Sequence, residues 1–84
     1  MIEDTMTLYI KAGCPWCTVA EQYLNKRGYR YTSVEVRRNR PALDELLAVS
    51  GQTYAPTLVA GDLVLRDFGP DELEDFLQEH NIRP

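Results

Sequence analysis

Two cysteines separated by two residues, Cys14-Pro15-Trp16-Cys17, are the residues of this chain best suited to chemistry, and the sequence contains no other cysteine. A disulfide between them closes almost nothing, and a bridge stabilises chiefly by closing a long loop. The value of the pair is therefore chemical rather than mechanical. The motif lies between an alternating segment and a helical one, which puts Cys14 at a helix N-terminus. There its sulfur meets unpaired N–H groups and the positive end of the helix dipole, and both favour thiolate over thiol. Lys11, three residues earlier, adds positive charge. Cys17 falls one turn further along the same helix face, within reach of the first sulfur. It is expected to be less exposed and closer to an ordinary thiol.

These positions predict two thiol–disulfide exchanges. Cys14 attacks a substrate disulfide and forms a mixed disulfide. Cys17 then attacks the Cys14 sulfur, releases the reduced substrate and leaves an internal disulfide for an external donor to reduce. Pro15 restrains the loop and so helps to set the balance between dithiol and disulfide. Trp16 offers a flat contact surface beside the sulfurs.

Other uses of a Cys-x-x-Cys pair fit less well. A structural zinc site normally takes four ligands. The only other soft ligand is His80, at the far end of the last helical segment, so no metal site is expected within one chain. Haem attachment needs a histidine after the second cysteine, where Thr18 stands. An inert buried pair is the plain alternative, and the strand–helix setting within a β-α-β pattern favours redox chemistry over it.

A second signal is Tyr54-Ala55-Pro56-Thr57, just ahead of a predicted strand. A proline there is either a plain edge device or a cis-proline. Beside the cysteine motif the cis reading is preferred. It turns the Ala55–Pro56 bond toward the cysteines and frees the backbone of Ala55 to pair with an extended substrate. Phe68 lies on a connection expected near the site, and it is counted with Asp67 among the substrate contacts. Arg37, Arg38 and Arg40 read as a solvated loop, with an anion site for a glutathione carboxylate or an acidic partner as the alternative. Tyr9, Tyr23, Tyr29 and Tyr31 read as core and rim, and His80 as a surface residue at a helix C-terminus.

The elements that must position these groups follow from hydrophobic period. Met6, Leu8 and Ile10 alternate with Thr7, Tyr9 and Lys11, as in a strand. Pro15 suits a first helical position. Val19, Ala20, Tyr23 and Leu24 follow at helical spacing, and Gly28 provides a stop. Thr32, Val34 and Val36 form a second strand. Pro41 opens a second helix with Leu43, Leu46 and Leu47 on one face, closed by Gly51. Thr57 to Ala60 and Leu63 to Arg66 are strands joined by a Gly61-Asp62 turn. Gly69 and Pro70 start a last helix with Leu73, Phe76 and Leu77 as its buried stripe. The order is β-α-β-α-β-β-α, an α/β arrangement. It predicts a parallel first pair, a final antiparallel hairpin and one sheet with helices on both faces.

The chain has 84 residues, enough for one domain, residues 1–84, with residues 1–5 as a short flexible tail. Its hydrophobic fraction of 44% and charged fraction of 26% suit a globular protein. A net charge of −4 argues against a broad nucleic-acid surface. No segment approaches the length of apolar sequence needed to span a bilayer. Glu3 and Asp4 near the start are unlike a secretory signal, so a cytoplasmic location is expected. The sequence shows no interface for self-association, and a monomer is expected.

The chain resembles the glutaredoxins and the closely related NrdH-type redoxins over nearly its whole length. Thr7-Leu8-Tyr9-Ile10-Lys11 followed by Ala12-Gly13-Cys14-Pro15-Trp16-Cys17 is similar to the glutaredoxin strand, lysine and active-site motif. Ala55-Pro56-Thr57 resembles the cis-proline segment of that family. The last third leans toward the NrdH branch: Asp67-Phe68-Gly69-Pro70-Asp71 is similar to its Gly-Phe-Arg-Pro-Asp signature. Glutaredoxins carry a Gly-Gly pair where this chain has Arg66 and Asp67. Lys11 and Ala55 match glutathione-contact positions, whereas the C-terminal half of that site does not. The resemblance implies a thioredoxin fold with a four-stranded mixed sheet. It implies no bound cofactor and disulfide-containing protein substrates, ribonucleotide reductase among them. The implied electron donor is glutathione or a flavoprotein reductase. An iron–sulfur or zinc-binding module, joining two chains through Cys14, is the alternative from another class. Pro15 argues against it, because the cluster-binding branch usually lacks that proline.

Overall fold

The computed structural model describes residues 6–84, and the expected tail at residues 1–5 lies outside the described residues. Strand β1 (Met6–Ile10) pairs in parallel with β2 (Tyr31–Glu35), setting Met6 opposite Tyr31 and Ile10 opposite Glu35. On its other edge β1 runs antiparallel to β3 (Thr57–Ala60), with Tyr9 opposite Thr57. The β3 strand continues antiparallel to β4 (Leu63–Arg66), so the sheet order is β2-β1-β3-β4. Three helices complete the chain: α1 (Pro15–Lys26), α2 (Arg40–Ser50) and α3 (Pro70–Glu79). The observed order is the β-α-β-α-β-β-α expected from the hydrophobic period.

Two cores explain why β1 is apolar on both faces. Leu8 and Met6 pack with Leu58 of β3, with Ala20 and Leu24 of α1, and with Leu73, Phe76 and Leu77 of α3. Tyr9 points the other way, into a second cluster with Val36, Ala42 and Leu46 beneath α2. Alternate residues of a strand leave from opposite faces, so a single central strand serves both layers. Each fully buried leucine here removes apolar surface worth about 1.5–3 kcal/mol.

Local chemistry sets the helix ends near the site. The Asn39 side chain accepts the Ala42 N–H at 3.2 Å, capping α2 so that Arg40, read as loop from the sequence, is its first residue. Gly51 ends α2 in the left-handed region at φ +77, donating its N–H to Leu47 O at 2.8 Å. A residue with a Cβ resists that conformation. The expectation that Leu47 shares the buried face of α2 is corrected: it is 50% exposed. The buried stripe is Ala42, Leu46 and Ser50, spaced four apart, and Leu47 sits about 100° around the helix from Leu46.

Candidate active site

Past the end of β1, the chain makes a tight turn. The Cys14 N–H donates to Lys11 O at 3.2 Å, with Gly13 at φ +81, a conformation that favours glycine. The turn delivers Cys14 as the N-cap of α1, in extended backbone, with Pro15 as the first helical residue. The Cys14 Sγ then takes the place of a capping oxygen and accepts the Cys17 N–H at 3.2 Å. Cys14 is half-buried, whereas Cys17 is 3% exposed, and both are free thiols. Burial pushes the Cys17 thiol up to about 12, and its hydrogen bond with Cys14 adds to the rise. One sulfur is thus reachable from solvent and its neighbour stands protonated behind it.

The loop 51–56 brings up the other wall. The Ala55–Pro56 bond is cis, and Ala55 O lies 3.9 Å from Cys14 Sγ as acceptor of the thiol. Gln52, which the sequence reading passed over, organises this loop. Its Nε2 donates to Ser50 Oγ at 2.8 Å and to Thr57 Oγ1 at 3.2 Å, while its Oε1 accepts the Tyr54 N–H at 2.5 Å. Thr57 Oγ1 in turn donates to Tyr54 O at 2.8 Å. Pro56 is fully buried, and its carbonyl accepts the Asp67 N–H at 2.9 Å. That bond sets Asp67, exposed and at φ +49, directly beside the cis bond.

Trp16 and Tyr54 are both exposed, at 57% and 62%. A Cβ on Gly69 would meet the Trp16 ring at 3.8 Å, so the indole lies against the start of α3. Lys11 is half-buried and contributes its carbonyl to the turn. Phe68 needs correcting as a substrate contact: it is 4% exposed, in the core with Leu8 and Leu24. Its neighbour Asp67 faces solvent, its left-handed backbone at φ +49 turning the chain just past the end of β4. Arg37 and Arg38 are exposed, and Arg40 pairs with Asp44 at 3.1 Å on the surface of α2. Glu35 is the second residue missed from the sequence, and its carboxylate binds the same turn that carries Cys14.

The family model described as Glutaredoxin matches residues 6–65. The chain belongs to the glutaredoxin family. The glutaredoxin-like protein NrdH of Escherichia coli is 30% identical over 66 residues, covering 79% of this chain and 80% of that protein. The solved structure of the E. coli NrdH-redoxin superposes with a TM-score of 0.70 at 26% identity, covering 95% of this chain and 96% of that one. The hybrid peroxiredoxin of Haemophilus influenzae is 27% identical over 75 residues, 89% of this chain. This glutaredoxin spans only 30% of that relative's length. The fold is the thioredoxin fold of these relatives, a four-stranded mixed sheet with three helices, and the chain is a thioredoxin-fold redox protein. Among the described residues, no helix is long and apolar enough to cross a membrane.

Proposed function

We propose that this glutaredoxin is a cytoplasmic, monomeric dithiol electron carrier that reduces protein disulfides, with Cys14 as nucleophile and Cys17 as resolving thiol. The carrying observation is the asymmetry of the pair. The Cys17 N–H is aimed at Cys14 Sγ at 3.2 Å, while the Cys17 sulfur is buried and protonated. In the first exchange the Cys14 thiolate bonds to one substrate sulfur and the other leaves as a thiolate. Cys17 then gives up its proton, bonds to Cys14 Sγ and expels the second substrate sulfur. Two electrons pass to the substrate and an internal disulfide remains. The Ala55 carbonyl, 3.9 Å from the attacking sulfur, provides an edge on which an extended substrate segment can pair. Trp16 and Tyr54 offer aromatic surface on either side, with Lys11 and Pro15 shaping the approach.

The oxidised carrier takes electrons from glutathione or from a flavoprotein of the thioredoxin-reductase type, and ribonucleotide reductase is a candidate acceptor. Asp67 exposes a carboxylate beside the cis bond, which disfavours an anionic tripeptide, so the flavoprotein donor is the preferred of the two. The test mixes oxidised protein with each donor system and follows the return of two free thiols. Rapid reduction by the flavoprotein, with glutathione at least about tenfold slower, supports the reading. The reverse order reassigns the donor to glutathione. Reduction by neither overturns the carrier function.

A further inference from the structure

Glu35 ends β2, and its carboxylate gathers three backbone donors from two loops. Oε2 accepts the Ala12 N–H at 2.8 Å and the Arg37 N–H at 3.0 Å, and Oε1 accepts the Arg38 N–H at 3.0 Å. The parallel register brings this about: Glu35 stands opposite Ile10, and Val36 N–H donates to Ile10 O at 3.0 Å. The carboxylate therefore arrives beside the turn that runs from Lys11 to Cys14. A turn closed by its first carbonyl and its fourth N–H leaves the N–H of its second residue unpaired. Here the second residue is Ala12, and Glu35 supplies the missing acceptor. Bonds to an ionised acceptor are about twice as strong as neutral ones. The Ala12 N–H is the chief group holding the Glu35 carboxyl below the usual carboxylate range, followed by the Arg38 N–H.

Resting on the redox reading above, we propose that Glu35 is a positioning residue for disulfide exchange: by anchoring the Ala12 N–H it fixes the turn that presents Cys14 Sγ to the Cys17 N–H and the Ala55 carbonyl. Reacting groups must be held to within about half an ångström of their productive placement. The Cys14 sulfur depends for its place on four residues of turn, and Glu35 is what ties that turn to the sheet. The charged side chains on the carboxylate's own loop are Arg37 and Arg38, of which Arg38 acts on it, and the turn it binds carries Lys11 and Cys14 on either side of Ala12 and Gly13.

Charge and positioning act on Cys14 with opposite signs. A carboxylate near a thiolate opposes it, so removing the Glu35 charge alone would favour the ionised sulfur. Loosening the turn weakens the Cys17 N–H contact with that sulfur and disfavours it. The test uses the full-length reduced protein and compares wild type with Glu35→Gln and Glu35→Asp. The Gln side chain keeps one acceptor oxygen and cannot serve both sets of donors.

The first readout is the pH profile of Cys14 alkylation, with the labelled residue identified by peptide mass. The expected result is a midpoint raised by about half a unit in Glu35→Gln, or about threefold slower labelling below it, with partial recovery in Glu35→Asp. An unshifted or lowered midpoint in a folded variant overturns the proposal. Should the Gln variant not fold, wild-type NMR decides. The Ala12 amide and the Cys14 Cβ signal are expected to move together as Glu35 is protonated at low pH. Movement of neither, or of Ala12 alone, overturns it. These readouts need no substrate. If wild type fails to reduce disulfides, the carrier reading falls, whereas the alkylation profile still tests Glu35.

Discussion

Cys17 donates its backbone N–H to the Sγ of Cys14 at 3.2 Å and is itself only 3% exposed, so two identical side chains stand in unequal settings. The first turn of α1 accounts for this: its N-cap side chain faces the free N–H groups, while the residue three further on faces the core. Replacing either sulfur therefore produces different failures. Cys14→Ser is expected to lose disulfide reduction to the uncatalysed rate. Cys17→Ser is expected to complete the first exchange and stall, accumulating a mixed disulfide with substrate on a non-reducing gel. Equal behaviour of the two variants would contradict the assignment of roles. In native reduced protein at pH 7.5, iodoacetamide is expected to label Cys14 alone, and both residues only after unfolding.

The buried thiol also gives stability a pH dependence. Cys17 titrates near its ordinary value of 9.0 when unfolded and near about 12 when folded. Below pH 9 both states hold the proton, and this contribution to stability is fully present. As pH rises from about 9 to about 12 the unfolded chain sheds the proton that the folded chain retains, so stability falls. Urea midpoints of the reduced protein between pH 7 and pH 11 are expected to decline above pH 9. Cys17→Ala removes this part of the decline. Tyr9, Tyr23 and Tyr31 are also raised, chiefly by burial, and act with the same sign in both proteins. The informative quantity is the difference between the two curves, and a steeper decline in Cys17→Ala would be the wrong sign.

What the sequence revealed, and what it hid, divides along the range of the interactions. The cysteine pair, Pro15 at the helix start and Gly51 at a helix end are local chemistry, and each stands where the spacing put it. Element order is likewise legible, because the change from a period of two to one of 3.6 is written along the chain. Leu47 and Phe68 were misplaced for a different reason. Which leucine of an adjacent pair faces the sheet depends on how α2 rotates against its neighbours. Phe68 is carried into the core by a connection without periodicity. Glu35 and Gln52 escaped notice because their partners are set by register: Glu35 reaches Ala12 across 23 residues only because β1 and β2 align.

Trp16 is the sole tryptophan of the chain, lies between the two cysteines and rests against Gly69. Its emission is expected to change when the dithiol is oxidised, since the nearest sulfurs change their bonding while the rest of the core stays packed. A fluorescence titration against a dithiothreitol redox buffer should give one two-electron transition. Trp16→Ala is expected to raise KM for a protein disulfide by about fivefold, equivalent to about 1 kcal/mol of lost aromatic contact, with kcat changing far less. A fall in kcat at unchanged KM would place Trp16 in the exchange step instead of in binding.

Gln52 is the strongest test of whether the Ala55 wall matters. Its side chain holds Ser50, Thr57 and the Tyr54 N–H at once, and Thr57 is fully buried. Gln52→Ala leaves those groups with fewer partners, at a cost of about 1–3 kcal/mol, and frees the loop that carries the Ala55 carbonyl. The turn bearing Cys14 is not attached to Gln52, so native alkylation of Cys14 is expected to stay within about twofold, a change worth about 0.4 kcal/mol. If an extended substrate aligns on the Ala55 edge as proposed, reduction of a protein disulfide is expected to fall by about tenfold, whereas a small soluble disulfide that cannot pair with a strand loses much less. If both substrates suffer equally while alkylation is unchanged, the wall does not select for extended partners, and substrate alignment must come from Trp16 and its surroundings.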